Sequence, residues 1–385
     1  MSTADAAKEV GIQLERVNPL TPHRSALPAL TGIRFFAACY VVLYHSHVPQ
    51  VLLHWHLTLM ANLLENGSQA VVLFFLLSGF LLSYTYRGRL TRQGGRRRFW
   101  EARVSRIWPL YMVSLLLSTS VLHTTPTWPG ALAAIFMVQA WNPLNIQEAG
   151  IWNFVCWTLS TEALFYVIFP FVQLRLEPQK LHRLLLLLGL VFTVSVVLGT
   201  SLHGFGSPHD VRWNHIPLAL IHIPEFLSGM VLGNVYGCMR SSFCPDGPLR
   251  TKWSLLTTLG ILLSLVVLCL PERADAVRLT PVAFGTLLFG LAWEHSLLER
   301  LLSTRIIIIG GQISYGVYLL QWPVKYASRA LSANLHVAAA GMQFGIYCIL
   351  LVLVSWLGFR AIEEPARKLL NAGFLRLEKG PRTLS

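Results

Sequence analysis

The sequence predicts an all-α polytopic membrane protein of about ten transmembrane helices, with a short re-entrant or interfacial segment and both termini cytoplasmic. Three observations carry this prediction. Hydrophobic residues make up 54% of the 385 and charged residues only 13%, about half the charged share of an ordinary soluble domain, and the mean hydropathy is +0.54. Apolar runs of about 20 residues, long enough to cross a bilayer core, recur along the chain. Basic residues gather in alternate connections between those runs.

The runs lie at 33–53, 69–86, 106–123, 157–173, 184–202, 216–238, 253–270, 280–297, 306–324 and 336–358. The first is too long, and too far behind a polar leader, for a cleaved signal peptide, so it reads as a permanent span. Residues 131–140 form a shorter apolar piece, followed by "WNPLNIQEAGIWN". Such a piece needs protein or a wet cavity around its backbone polar groups.

Orientation follows from "RGRLTRQGGRRRFWEARVSR" at 87–106, with eight arginines and one acid. The positive-inside rule makes this connection cytoplasmic. Counting spans from it places "RLEPQKLHR", the connections 240–252 and 299–305, and the basic tail from 360 on the same side. The net charge of +13 is thereby a topology signal, with no nucleic-acid partner implied. Six cysteines without C-x-x-C spacing imply neither a disulfide framework nor a zinc site. The organisation expected is a cytoplasmic tail at 1–26, one membrane domain at 27–370 and a second cytoplasmic tail at 371–385.

Several ionisable or polar groups interrupt the apolar runs. In "RFFAACYVVLYH", ten residues separate Arg34 from His45, and the eleven helical steps between them place them on one face roughly 16 Å apart along the axis. Alone, Arg34 reads equally as a snorkelling anchor and His45 as a structural histidine, although ionisable groups inside spans commonly face a cavity and mark a functional path. Ser78 and Gly79 fall in "FFLLSGFLLSY", where a small-residue helix contact is the plain alternative. Glu162 lies in "WTLSTEALFYVIFP", with Trp157 just before it and Tyr166 one turn beyond. "IHIPEFLSGM" adds His222 and Glu225, and "SYGVYLLQWP" adds Ser314, Tyr315, Tyr318 and Gln321. Arg103 and Arg106, three apart where the third span begins, form a one-faced cationic pair suited to a phosphate-rich ligand. "HSH" at 45–47 and "HWH" at 54–56 carry no accompanying carboxylate or cysteine cluster, and alternate helical residues diverge, so no metal site is expected.

Seven segments, "LPALTGIRFFAACYVVLYH", "FFLLSGFLL", "RRFWEARVSRIWPLY", "WTLSTEALFYVIFP", "PEFLSGM", "ISYGVYLLQWP" and "EEPAR", occur in the order and at about the spacing of the membrane acyltransferase 3 family. The chain resembles that family over about residues 27–370. The resemblance implies transfer of an acyl group, by family frequency acetyl, from acyl-coenzyme A to a hydroxyl of a sugar or another acceptor. It further implies His45, Arg34 and Glu162 as catalytic, and Arg34, Arg103, Arg106, Ser78 and Gly79 as acyl-coenzyme A ligands. Trp157, Tyr166, Glu225, Tyr315 and Tyr318 become candidates for the acceptor or cavity. Gln321 and His222 depart from the family pattern, where histidine and arginine are common, and are assigned no catalytic role. No appended extracytoplasmic esterase-like domain is expected.

The mechanism expected is direct transfer with neutral His45 as general base, since the spans offer no evident serine or cysteine nucleophile beside it. Glu162 is expected to orient His45 or bind acceptor hydroxyls. Acyl-coenzyme A is the donor substrate, no cofactor is permanently bound, and membrane lipids and a carbohydrate acceptor are the partners. The location implied is the bacterial inner membrane. The connections at 123–130 and 201–213 would feed an outer cavity, with a sugar stacked on Trp128 or Trp213. One alternative is acylation of a small molecule such as a macrolide. Another is a proton-coupled transporter that uses Arg34, His45 and Glu162 as its path.

Overall fold

The computed structural model describes residues 27–46, 48–122, 126–141, 152–203, 216–242, 250–293 and 296–369. The two predicted tails, Trp213, His47 and the 142–151 part of the predicted re-entrant stretch lie outside them. The described residues are helical, with no strand: α1 (Pro28–Tyr44), α2 (Val48–His54), α3 (Thr58–Glu65), α4 (Ala70–Tyr86), α5 (Gly95–Leu122), α6 (Trp128–Ile135), α7 (Cys156–Leu176), α8 (Leu181–His203), α9 (Leu218–Ile221), α10 (Ile223–Ser242), α11 (Arg250–Cys269), α12 (Thr280–Ala292), α13 (Leu297–Leu302), α14 (Arg305–Asn334) and α15 (Ala340–Gly358), the last running on into a π turn, Phe359–Glu363. Among the described residues eight stretches are long and apolar enough to span a membrane, or nine if the bent α1–α2 pair is one span. With the thirty-residue α14, they occupy the ten apolar runs of the sequence.

The first run departs from expectation. The sequence reads 33–53 as one straight helix with His45 past its middle, but α1 ends at Tyr44 and α2 leaves it at 65°. His45 is therefore the residue that caps α1. Ser46 supplies the local reason: its hydroxyl donates to Leu43 O (2.5 Å) and accepts from Val48 N (3.2 Å), competing with the helical ladder. Pro49 then sits in the first turn of α2, where its missing N–H costs nothing. The carbonyl of His45, released by the break, accepts from Lys325 Nζ at 2.5 Å.

Other boundaries shift less. Helix α5, which carries the third predicted span, starts at Gly95, so more than half of the arginine-rich connection is helical, and Arg103 and Arg106 do stand on one face of it. The 131–140 piece folds as the short α6 followed by a turn. Its polar groups are satisfied by protein: Tyr111 OH donates to Ala134 O (2.7 Å), Trp108 Nε1 to Ile135 O (3.3 Å), and Ala140 N to Ser160 Oγ (3.0 Å). Eight helical residues rise only about 12 Å, far short of a crossing.

Two close helix contacts set the geometry of the interior. Helices α1 and α14 run parallel, with Thr31 against Gly311 at one end and His45 against Lys325 at the other. A Cβ on Gly311 would stand 2.0 Å from Thr31 O, so only glycine permits this approach. At the α4–α10 crossing, Cβ atoms on Gly79 and Gly229 would meet Phe226 O at 2.2 Å and Leu76 O at 2.0 Å. Gly311→Val is expected to cost about 1–3 kcal/mol through overpacking, read as a lower melting temperature of the detergent-solubilised protein. Gly345→Ala, with nothing within 4 Å, is the control expected to leave it unchanged.

Candidate active site

A cavity of about 100 Å³ opens between α1, α4, α5, α7 and α14. Arg34 enters it from α1, Ser78 from α4, Arg103 and Arg106 from α5, Glu162 and Tyr166 from α7, and Ser314, Tyr315 and Tyr318 from α14. Residues from five separate stretches of sequence thus meet at one place.

Within the wall, Glu162 Oε1 accepts from Tyr166 OH (2.5 Å) and Ser78 Oγ (3.1 Å). Arg103 lies over three rings, those of Tyr86, Phe99 and Tyr166, with centroids 5.8–6.0 Å away; cation–π attraction of this kind gains strength when desolvated. Tyr315 OH donates to Ile107 O at 2.8 Å, and Tyr318 OH shares a hydrogen bond with Thr158 Oγ1 at 2.9 Å. Three guanidiniums line the cavity against one carboxylate. Nε of Arg34 and Nε of Arg103 are buried with no hydrogen-bond partner among the described residues. A site of this charge and unspent donor capacity has the chemistry that complements an anion.

His45 does not line this cavity. It sits further along α14, where its Nδ1 is 2.8 Å from Gln321 Oε1. Its ring is flanked by Tyr44, Phe154 and Trp322, with centroids 4.9, 5.8 and 5.5 Å away. Gln321, buried, donates through Nε2 to Tyr318 O at 2.7 Å, so one α14 turn joins the arginine cavity to the histidine. The expectation that Glu162 orients His45 does not match this geometry: Gln321 holds the imidazole, and Glu162 is bonded to Ser78 and Tyr166.

Some sequence candidates stand elsewhere. Gly79 lies outside the cavity lining and packs on α10. Trp157 also lies off the cavity, against His222, with ring centroids 5.5 Å apart. Glu225 is buried on α10, accepting from Ser195 Oγ at 3.0 Å with His222 Nδ1 at 3.8 Å. Trp128 is exposed, with 77% of its surface accessible. The 123–125 and 204–215 parts of the proposed outer loops are outside the described residues. Among the described residues no three His, Cys, Asp or Glu side chains group to hold a metal.

Sequence reasoning passed over three contributors. Gln321 is one, set aside as a departure. Glu363 and Arg367, from "EEPAR", are the others. Glu363 is buried in the π turn and interacts electrostatically with Arg34, Arg106 and Arg367. The available signal was a buried-helix register that returns to charge just after the last apolar run.

The fold and this charged interior define a multi-pass membrane protein with a cationic cavity between its helices. Residues 27–360 match the family model described as an acyltransferase domain, and the chain belongs to this family, the membrane acyltransferase 3 family. It is an acyltransferase. It is similar to acyltransferase MdmB of Streptomyces mycarofaciens (26% identity, over 91% of this chain and 94% of that one). It is also similar to O-acetyltransferase OatA of Staphylococcus aureus (24%, 89% and 57%) and to putative peptidoglycan O-acetyltransferase YrhL of Bacillus subtilis (25%, 90% and 56%). The chain thus spans little more than half the length of the last two. No solved structure matches it.

The Tyr166–Glu162 bond gives a prediction for the wall. Tyr166→Phe leaves the carboxylate with Ser78 as its one remaining protein donor, at an expected cost of about 1.5–3 kcal/mol for a bond to a charged group. Ser78→Ala, which removes the longer bond, is expected to cost less; thermal denaturation in detergent checks the order.

Proposed function

We propose that this enzyme transfers an acyl group, by preference acetyl, from cytosolic acyl-coenzyme A to a hydroxyl of a carbohydrate in the envelope or of its lipid-linked precursor, at the bacterial inner membrane. The observation that carries the reading is the convergence of Arg34, Arg103 and Arg106 on one cavity lined by a single carboxylate. Coenzyme A presents phosphates to such a cluster and a thioester at the far end of a flexible arm. The arm has roughly 16 Å to cover, the rise from Arg34 to His45 along α1.

In this reading the arginines hold the phosphates and the thioester carbonyl reaches His45. The neutral imidazole takes the proton of the acceptor hydroxyl as its oxygen attacks the carbonyl carbon, giving a tetrahedral oxyanion. Collapse breaks the C–S bond, and the imidazolium returns its proton to the departing thiolate. The ester and free coenzyme A are the products. Glu162 keeps the tyrosine and serine hydroxyls of the wall in register beside the donor. Phe154 and Trp322 flank the histidine and offer the aromatic surface on which a sugar ring stacks. The O-acetyltransferase and peptidoglycan O-acetyltransferase names of two relatives support the carbohydrate acceptor.

Two outcomes check this. Membranes with wild-type protein, given labelled acetyl-coenzyme A, are expected to label an envelope glycan or lipid-linked fraction, and His45→Ala at matched level is expected to lose at least about 100-fold of that rate. Equal labelling in both would remove His45 as the base; label in neither, across acyl donors and acceptors, would favour transport instead. Arg103→Gln and Arg106→Gln are each expected to raise KM for acetyl-coenzyme A by about 10-fold or more, the worth of one charge-assisted contact, with the loss growing as salt is lowered from screening conditions.

A further inference from the structure

We infer that Gln321 is a positioning residue that fixes the tautomer of His45 and leaves Nε2 as its basic nitrogen, an inference that rests on the reading of His45 as the general base. A neutral imidazole carries one proton, and which nitrogen holds it is decided by the partner of the other. Here the partner is a carboxamide, which can present either an oxygen or an N–H₂ group.

The backbone of α14 decides which end His45 meets. One end of the Gln321 carboxamide lies 2.7 Å from Tyr318 O and the other 2.8 Å from His45 Nδ1. A carbonyl oxygen only accepts, so the end facing Tyr318 has to be the N–H₂ group. Reversing the amide would set two acceptor oxygens 2.7 Å apart in a buried site, with Gln321 only 1% exposed. The oxygen therefore faces His45, Nδ1 carries the proton and donates, and Nε2 keeps its lone pair.

Among the described residues, the rest of the surroundings holds this arrangement and Nδ1 has Gln321 as its hydrogen-bond partner. Tyr44, Phe154 and Trp322 flank the ring. Lys325, one turn beyond Gln321, binds the His45 carbonyl and sits 5.1 Å from the Trp322 ring centroid. Two side chains of α14 at i and i+4 thus fix one residue twice, Lys325 through its backbone and Gln321 through its ring. The α1 break serves the same end: as the cap residue, His45 lies where the chain turns away, and its ring reaches α14. Acyl transfer then proceeds with the hydroxyl proton moving to Nε2 while the Nδ1–H stays on Gln321, and Nε2 later returns that proton to the thiolate.

The test compares initial rates at varied labelled acetyl-coenzyme A, in membranes of matched protein level with the native envelope as acceptor, for wild type, His45→Ala, Gln321→Leu, Gln321→Met and Gln321→Glu. Leu and Met remove the acceptor in two shapes, so a variant that fails to fold leaves the other to decide; Glu keeps an oxygen toward His45 and, protonated on its other oxygen, replaces the amide donor to Tyr318 O. With His45→Ala inactive, Leu and Met are expected to lose about 10-fold or more in apparent kcat with KM for acetyl-coenzyme A unchanged, and Glu to recover most of it. Leu or Met at the wild-type kcat, a loss confined to KM, or a folded Glu variant as slow as Leu would overturn the role of Gln321 and leave the base reading intact. An active His45→Ala would overturn the base reading, and this inference with it.

Discussion

Charge buried between transmembrane helices has to be compensated, and the cavity at the centre of this protein does not compensate its own. Arg34, Arg103 and Arg106 face a space whose lining holds one carboxylate, Glu162. Glu363 adds a second from behind, in company with a further cation, Arg367. The aromatic rings around Arg103 soften the penalty without cancelling the charge. An intramembrane cluster with this surplus is costly to maintain and is a functional signature for that reason. The parts of the wall that are not cationic are spent on holding the cluster: Ser78 and Tyr166 orient Glu162, Tyr315 ties α14 to α5, and Tyr318 ties it to α7.

The second requirement is distance. In the proposed reading a donor held by its phosphates at the arginines has to present its reactive end elsewhere, and the parallel pair α1 and α14 supplies the ruler. Their close contact at Gly311 fixes the near end, and Gln321 and Lys325 fix the far end around His45. Residues of α14 thereby serve both ends, from Ser314 in the cavity to Lys325 at the α1 break. The proposed acyl-coenzyme A donor, a molecule with a charged end and a reactive end, would give this layout its chemical sense.

Much of this is legible in the chain because bilayer burial makes polar groups conspicuous. An arginine, a glutamate or a pair of arginines three apart stands out against apolar runs, and Arg34, Ser78, Arg103, Arg106, Glu162, Tyr166, Tyr315 and Tyr318 do meet in space. What escapes is information held between helices. The break after Tyr44 hides because proline in the first turn of a helix is tolerated and "VLYHSHVPQVLL" keeps its apolar average. Gln321 hides because a glutamine in a buried helix has no characteristic partner, and its bond to His45 spans 276 residues of sequence. Gly79 illustrates the converse: its neighbour Ser78 faces the cavity, and a shift of one residue, 100° around the helix, turns Gly79 onto α10.

The most direct test of the account is a structure of the full chain with a non-transferable donor such as desulfo-coenzyme A. The account predicts phosphates within hydrogen-bonding distance of Arg34, Arg103 and Arg106 and the arm running beside α14 toward His45 Nε2. A nucleotide bound away from these arginines, or an arm directed away from His45, would contradict it.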